Sequence, residues 1–185
     1  MLQDKYQQEI IPAMLKSTGR KNPLSLPQVK KVVLNYRIPE ARENKEALVQ
    51  AEQELTAIAG QKPRLCQARL SIASFKVRQG DPLALKVTLR GRRMYHFLER
   101  FFNLVLPRVR DFRGLPDTSF DEGGNYNTTI SDQTVFPEID LDRIKKIRGL
   151  QVTIATSATS KEEAKMLLSA LGLPFQKDQA QKKGK

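Results

Sequence analysis

The sequence contains no tryptophan, one cysteine and one histidine in 185 residues. With Cys66 alone, no intrachain disulfide and no multi-thiolate metal site can form. Between Leu65 and Gln67 this cysteine is expected to be a small packed residue. His96 lies beside the apolar stripe of a predicted helix, where a packing or surface role outweighs a catalytic one. A Ser-His-Asp triad would have to use it, and nothing in the sequence supports one. No run of about 18 apolar residues exists, which excludes a membrane-spanning helix. The glycine loops that cradle nucleotide phosphates, GxxxxGK[ST] and GxGxxG, are absent. The opening "MLQDKYQQEIIPAML" has neither the basic-then-apolar order of a secretory leader nor the acid-poor composition of an organelle leader, so a cytoplasmic protein is expected. Carboxylates gather at Asp117, Asp121 and Glu122 and again at Glu138, Asp140 and Asp142. The second group has the oxygen ligands a divalent ion takes, but "FPEIDLDRI" reads more simply as a turn into a short helix. The reading is of a non-enzyme with no cofactor and no metal.

Acidic residues are also scarce where basic ones are dense. Residues 61–113 hold 13 Lys/Arg against 3 Asp/Glu, a net +10 within a chain total of +12. Residues 1–60 net +2, 114–160 net −3, and 161–185 net +3. A basic tail is common, whereas a basic stretch with the pattern of folded structure points to a polyanionic partner.

The apolar periodicity gives the elements. Residues 4–17 repeat at helical spacing through Tyr6, Ile10, Ile11, Met14 and Leu15, with Pro12 expected to kink or split the helix. "VKKVVLNYRI" alternates, with Val32, Leu34, Tyr36 and Ile38 on one face. Asn44 caps a helix that stops at Gly60. An extended piece near 65–72 and a strand "LALKVTLRG" follow, the latter burying Leu83, Leu85, Val87 and Leu89. "RRMYHFLERFFNLVLP" is an apolar helix closed by Pro107. A loop-rich stretch with Gly123-Gly124 suggests an irregular hairpin. "LQVTIATSA" is a last strand, and Ser160 with Glu163 forms the capping box of a final helix ending at Gly172. The layout is α+β: a mainly antiparallel sheet with helices on one face, the other face open, and a projecting loop. Residues 1–177 are read as one domain and 178–185 as a basic, disordered tail.

The strand faces opposite the core collect Lys31, Asn35, Arg37, Lys86, Thr88, Arg90, Gln151 and Thr153. This set holds no carboxylate, whereas a merely solvated face mixes both signs. Lys and Arg engage phosphates; Asn, Gln and Thr hydrogen-bond sugars and base edges. With no aromatic in the set, backbone and minor-groove contact with structured RNA fits better than base stacking. In "SFKVRQGDP", residues 74–82, Phe75 and Val77 fall on the parity opposite to Leu70 and Ile72 just upstream. A strand cannot change face without a bulge or loop. The strand is therefore expected to end near Ala73 and to give way to a projecting loop closed by "QGDP", with Gln79 and Gly80 at its tip. Phe75 either folds back on the core or meets a partner.

The segments "LSLPQVKKVVLN", "GQKP", "SFKVRQGDPLALKVTLRG", "RDFRGL", "FPEID" and "RGLQVTIAT", in this order and spacing, resemble the large-subunit ribosomal protein five family in its bacterial form. The resemblance runs from about Tyr6 to Gln176. It implies a structural protein of the central protuberance of the large ribosomal subunit that binds 5S rRNA and helps attach it to the large-subunit rRNA. It implies as further partners the P-site tRNA, neighbouring large-subunit proteins and a small-subunit protein across an intersubunit bridge. The family's 5S contacts fall on Asn35, Gln61, Phe75 and Thr88, beside the cations Lys31, Lys86 and Arg90. The tRNA-proximal loop falls on Ser74, Lys76, Val77, Arg78, Gln79 and Gly80. Residues 36–40 and 121–130 depart from the family pattern, as at Glu122, where glycine is usual. From the residues alone, an RNA-processing or RNA-modifying enzyme is the alternative. It lacks a recognisable acid/base pair or metal site. A membrane-surface protein would need a basic amphipathic helix, and here the cations lie on strands and loops.

Overall fold

The computed structural model describes residues 2–144 and 146–176; the proposed tail at 178–185 lies outside them. Five strands form one antiparallel sheet: β1 Val29–Arg37, β2 Arg64–Gln67, β3 Pro82–Leu89, β4 Tyr126–Ile130 and β5 Leu150–Thr156, in the order β2-β3-β1-β5-β4. The alternation read from the sequence sets which side is buried. Val32, Leu34, Tyr36, Leu85, Val87, Leu89, Val152 and Ile154 all face one continuous core. The helices cover that side. Leu55 and Ile58 come from the helix Lys45–Ala59, Phe97 and Phe101 from the helix that begins at Gly91, and Leu167 and Leu168 from Lys161–Ala170.

The caps follow from local chemistry. Asn44 accepts hydrogen bonds from the Glu46 and Ala47 amides, and Gly60 closes the same helix in a left-handed conformation. Ser160 Oγ accepts from the Glu163 amide. The Glu163 carboxylate, however, turns to Thr159 and Arg20 rather than back to the Ser160 amide, so only half the expected capping box forms.

The helical stretch continues through Pro12, interrupted only by a change of hydrogen-bond spacing. A π turn, Tyr6–Ile10, precedes it, in which Ile11 N–H reaches Tyr6 O. The longest apolar helix repeats the device: Gly91–Arg100 runs into the π turn Phe101–Val105, where Leu106 N–H reaches Phe101 O just before Pro107. Widening the helix by one residue accommodates a ring that would otherwise clash with the carbonyl four residues back. Pro107 thus sits inside a last 3-10 turn, Leu106–Arg108, rather than ending the helix.

The stretch read as an irregular hairpin does turn back at Gly123-Gly124: Phe120 pairs antiparallel with Tyr126, and Asp121 N–H bonds to Asn125 O at 2.9 Å. Its return arm continues as the edge strand β4, whose Tyr126 packs between Phe120 and Phe175 at centroid distances of 4.7 and 5.7 Å. Two expectations need correction. The extended piece ends at Gln67, not near Ala73: a bulge interrupts the β2–β3 ladder between Cys66 and Gln67. Leu70 and Ile72 are accordingly exposed. Cys66 is half-buried opposite Ala84 on the open face, not packed in the core.

Candidate RNA-binding face

The strand register converts the parity argument into rows. One row crosses all five strands as Arg64, Lys86, Asn35, Gln151 and Thr129. The next contains Thr88, Val33, Thr153 and Asn127. Lys31 lies opposite Ala155, next to a bulge that separates it from Val29, and Arg37 opposite Ala84 at the other end of β1. Arg90 is one residue past β3, still extended and exposed. None of the five strands contains an Asp or Glu. Lys31, Arg37, Arg64, Lys86 and Arg90 form no ion pair among the described residues. Cations without carboxylate partners keep their charge available for an external anion.

Charge grades across the row. Within this row Arg64 and Lys86 are cationic, and Asn35, Gln151 and Thr129 carry uncharged amides and a hydroxyl. Asn35 Nδ2 donates to Gln151 Oε1 at 3.4 Å, and Thr153 Oγ1 donates to Asn127 Oδ1 at 2.7 Å. Arg64, Asn127 and Thr129 were missed in the sequence reading. The alternation of "YNTTI" carried the signal for the last two, but the adjoining Gly-Gly and Asn residues mask it as loop.

Gln61 follows the helix-closing Gly60 and accepts from Arg93 Nη1 at 3.4 Å. The antiparallel pairing of β2 with β3 puts it toward the Thr88–Arg90 end of the face. Phe75 and the other loop residues leave the opposite end, between Gln67 and Pro82. The structure therefore brings Asn35, Lys86, Thr88, Lys31 and Arg90 together on one surface. It places Gln61 and Phe75 at opposite ends, separated along β3 by roughly 24 Å at 3.4 Å per residue.

The loop is a small hairpin. Ile72 and Val77 exchange backbone hydrogen bonds of 2.9 and 3.2 Å, and Gly80 N–H and Ala68 N–H bond to Ala68 O and Asp81 O near the base. The tip is the 3-10 turn Ala73–Phe75, followed by Lys76 at φ +51°. Ser74, Phe75 and Lys76 thus occupy the tip. Val77, Arg78, Gln79 and Gly80 form the return arm, which corrects the expectation that Gln79 and Gly80 lead. Gly80, at φ +90°, adopts a conformation that side chains resist. Arg42 Nη1 donates to Phe75 O and Lys76 O at 3.2 and 2.6 Å, so the projecting loop is tethered to the 3-10 turn Pro39–Arg42. The Phe75 ring is 70% exposed and does not return to the core. With Leu70, Ile72 and Val77 it borders an apolar groove of about 720 Å³ that also touches Arg37, Arg42 and Arg69.

No group of three His, Cys, Asp or Glu side chains among the described residues could hold a metal ion. His96 is exposed, and Asp140 caps the short turn Leu141–Arg143. No described helix is long and apolar enough to cross a membrane.

The "Ribosomal protein L5" family model matches residues 22–78, and the model of the same family's C-terminal part matches residues 82–175. The large ribosomal subunit protein uL5 of Thermoanaerobacter sp. is 52% identical over 176 residues, covering 95% of this chain and 98% of the relative. The proteins of the same name from Carboxydothermus hydrogenoformans and Roseiflexus sp. are each 51% identical over 174 residues, covering 94% of this chain and 97% of theirs. The chain therefore belongs to the ribosomal protein L5 family: it is a structural component of the ribosome, which in bacteria is cytoplasmic, and not an enzyme.

Proposed function

We propose that this chain, as a protein of the large ribosomal subunit, binds 5S rRNA through its open sheet face and helps attach that RNA to the large-subunit rRNA. The observation that carries the reading is the carboxylate-free row Arg64, Lys86, Asn35, Gln151 and Thr129, which runs across the whole sheet. Lysine and arginine meet phosphates there, and the amides and hydroxyls meet the 2′-hydroxyls and base edges of a shallow RNA minor groove. Asn35, Gln61, Phe75 and Thr88 are the 5S contacts in this reading, supported by Lys31, Lys86 and Arg90. The tethered hairpin, with Ser74, Lys76 and Arg78 on its exposed surface, faces the P-site tRNA. Other surfaces meet neighbouring proteins of the central protuberance and a small-subunit protein across the intersubunit bridge.

The test is a salt titration of the full chain against 5S rRNA and against an unrelated RNA duplex of similar length. Affinity for 5S should exceed that for the duplex at every salt concentration. Removing each phosphate-facing cation should flatten the slope of log affinity against log salt by about 0.7–0.9. Equal affinity for both RNAs at all salts would refute the reading.

A further inference from the structure

We propose that the apolar groove between the hairpin of residues 68–81 and the turn Pro39–Arg42 docks a segment of another protein, one in which large apolar side chains alternate with aspartate or glutamate. This goes beyond the RNA-binding reading and does not depend on it.

Leu70, Ile72 and Phe75 are 73, 45 and 70% exposed, and all three line this groove. Apolar side chains gathered in water on one surface mark a contact site. The groove measures about 720 Å³, within the range of ligand-sized clefts. Its walls are held before any partner arrives. Ile72 and Val77 pair through their backbones, and Arg42 ties Phe75 O and Lys76 O to a turn from another part of the chain. A preformed site loses less freedom when it binds.

Charge identifies the occupant. Arg37, Arg42 and Arg69 are the charged residues that touch the groove, and no Asp or Glu does. None of the three forms an ion pair among the described residues, and Arg42 gives its hydrogen bonds at the loop to neutral carbonyls. Apolar anchors flanked by carboxylates complement both the walls and the arginines. Rival occupants match one feature only. Leu70, Ile72, Val77 and Leu83 offer the edges of a nucleobase no hydrogen-bond partner, and burying an unpaired polar edge is costly. A second copy would bring another +12 to a basic surface. Residues 177–185 of the chain carry four lysines against one aspartate, with nothing more apolar than alanine.

The experiment titrates the full chain against labelled synthetic peptides by fluorescence anisotropy. The first peptide alternates leucine or phenylalanine with glutamate. The second replaces its apolar residues by serine at the same charge, and the third replaces its glutamates by lysine. A single-stranded RNA of matched length is titrated beside them, and each protein variant is melted. The first peptide should bind at least about tenfold tighter than either of the others. Leu70→Ser should weaken that binding about tenfold, and Arg69→Gln should weaken it and lower its salt dependence. Val49→Ser, at an exposed apolar residue of the helix Lys45–Ala59, should leave it unchanged. Equal binding of the serine peptide would reduce the contact to charge and overturn the proposal. So would full binding by Leu70→Ser, or an equal loss on Val49→Ser. RNA that binds as tightly as the first peptide, with the same dependence on Leu70, would make the groove a nucleic-acid site instead. A dimer of the chain alone that Leu70→Ser dissociates would make the occupant a second copy. Either result overturns the proposal. Should Leu70→Ser melt early, Arg69→Gln still decides.

Discussion

Arg148 has only 5% of its side chain exposed, and it lies 3.7 Å from Glu54 and 3.6 Å from Glu40. Tyr36, at the core face of β1, donates its hydroxyl proton to Glu54 at 2.7 Å, and burial followed by this hydrogen bond holds the tyrosine well above its usual pKa. Gln133 ties the same corner, donating to Lys146 O and accepting from the Arg148 amide. This polar knot sits behind Tyr36, one residue from Asn35 on the open face, and it ties the segment before β5 to the helix Lys45–Ala59. Breaking one partner of a buried pair strands the other charge, so Arg148→Met should cost about 3–5 kcal/mol in urea unfolding. Adding Glu54→Gln, which removes the stranded charge and keeps an acceptor for Tyr36, should recover much of that loss. A single variant that unfolds at the wild-type midpoint would show the knot to be energetically idle. Nothing in the sequence marks this network. Its members lie at positions 36, 54, 133 and 148, and only the fold joins them. Asn35 and Thr88 were legible because each needs only its own strand's parity.

At the scale of elements, long alternating strands and capped helices were readable, since period and caps are local. The edge strand β4 was not. Its strand character depends on pairing with β5 and on Tyr126 lodging against Phe175, 49 positions away. The same holds for Gly114: a Cβ there would meet Gln176 N at 2.7 Å, a close approach between segments distant in sequence. The loop was half legible. The parity break pointed to a projecting loop, but the strand ends earlier, at Gln67, and the tip could not be placed without the Ile72–Val77 pairing. Its tether gives a separate prediction. Arg42→Ala removes both bonds to the tip, and the Ile72 and Val77 amides should then exchange at least about tenfold faster. The unfolding midpoint should hardly move, because a loop that buries little apolar surface contributes little to global stability. Unchanged exchange would mean that the hairpin holds itself and Arg42 is incidental.

For the molecule as a whole, the +12 charge raises the question of whether RNA affinity needs a particular face or only a cationic protein. The fold answers by sorting: cations without acidic partners on the open side of β1, β2 and β3, apolar residues and helices on the other. Two triple variants of equal net charge separate the alternatives. One removes Lys31, Arg64 and Lys86 from the open face; the other removes Lys5, Lys16 and Lys45, exposed lysines of the helices. Each brings the chain to +9. The decisive measurement is the affinity of 5S rRNA for these two proteins at one fixed salt concentration. The open-face variant should lose at least about a hundredfold, while the helix variant stays within a few-fold of wild type. Equal losses in the two would contradict the account, because charge alone would then explain the binding and the face would not.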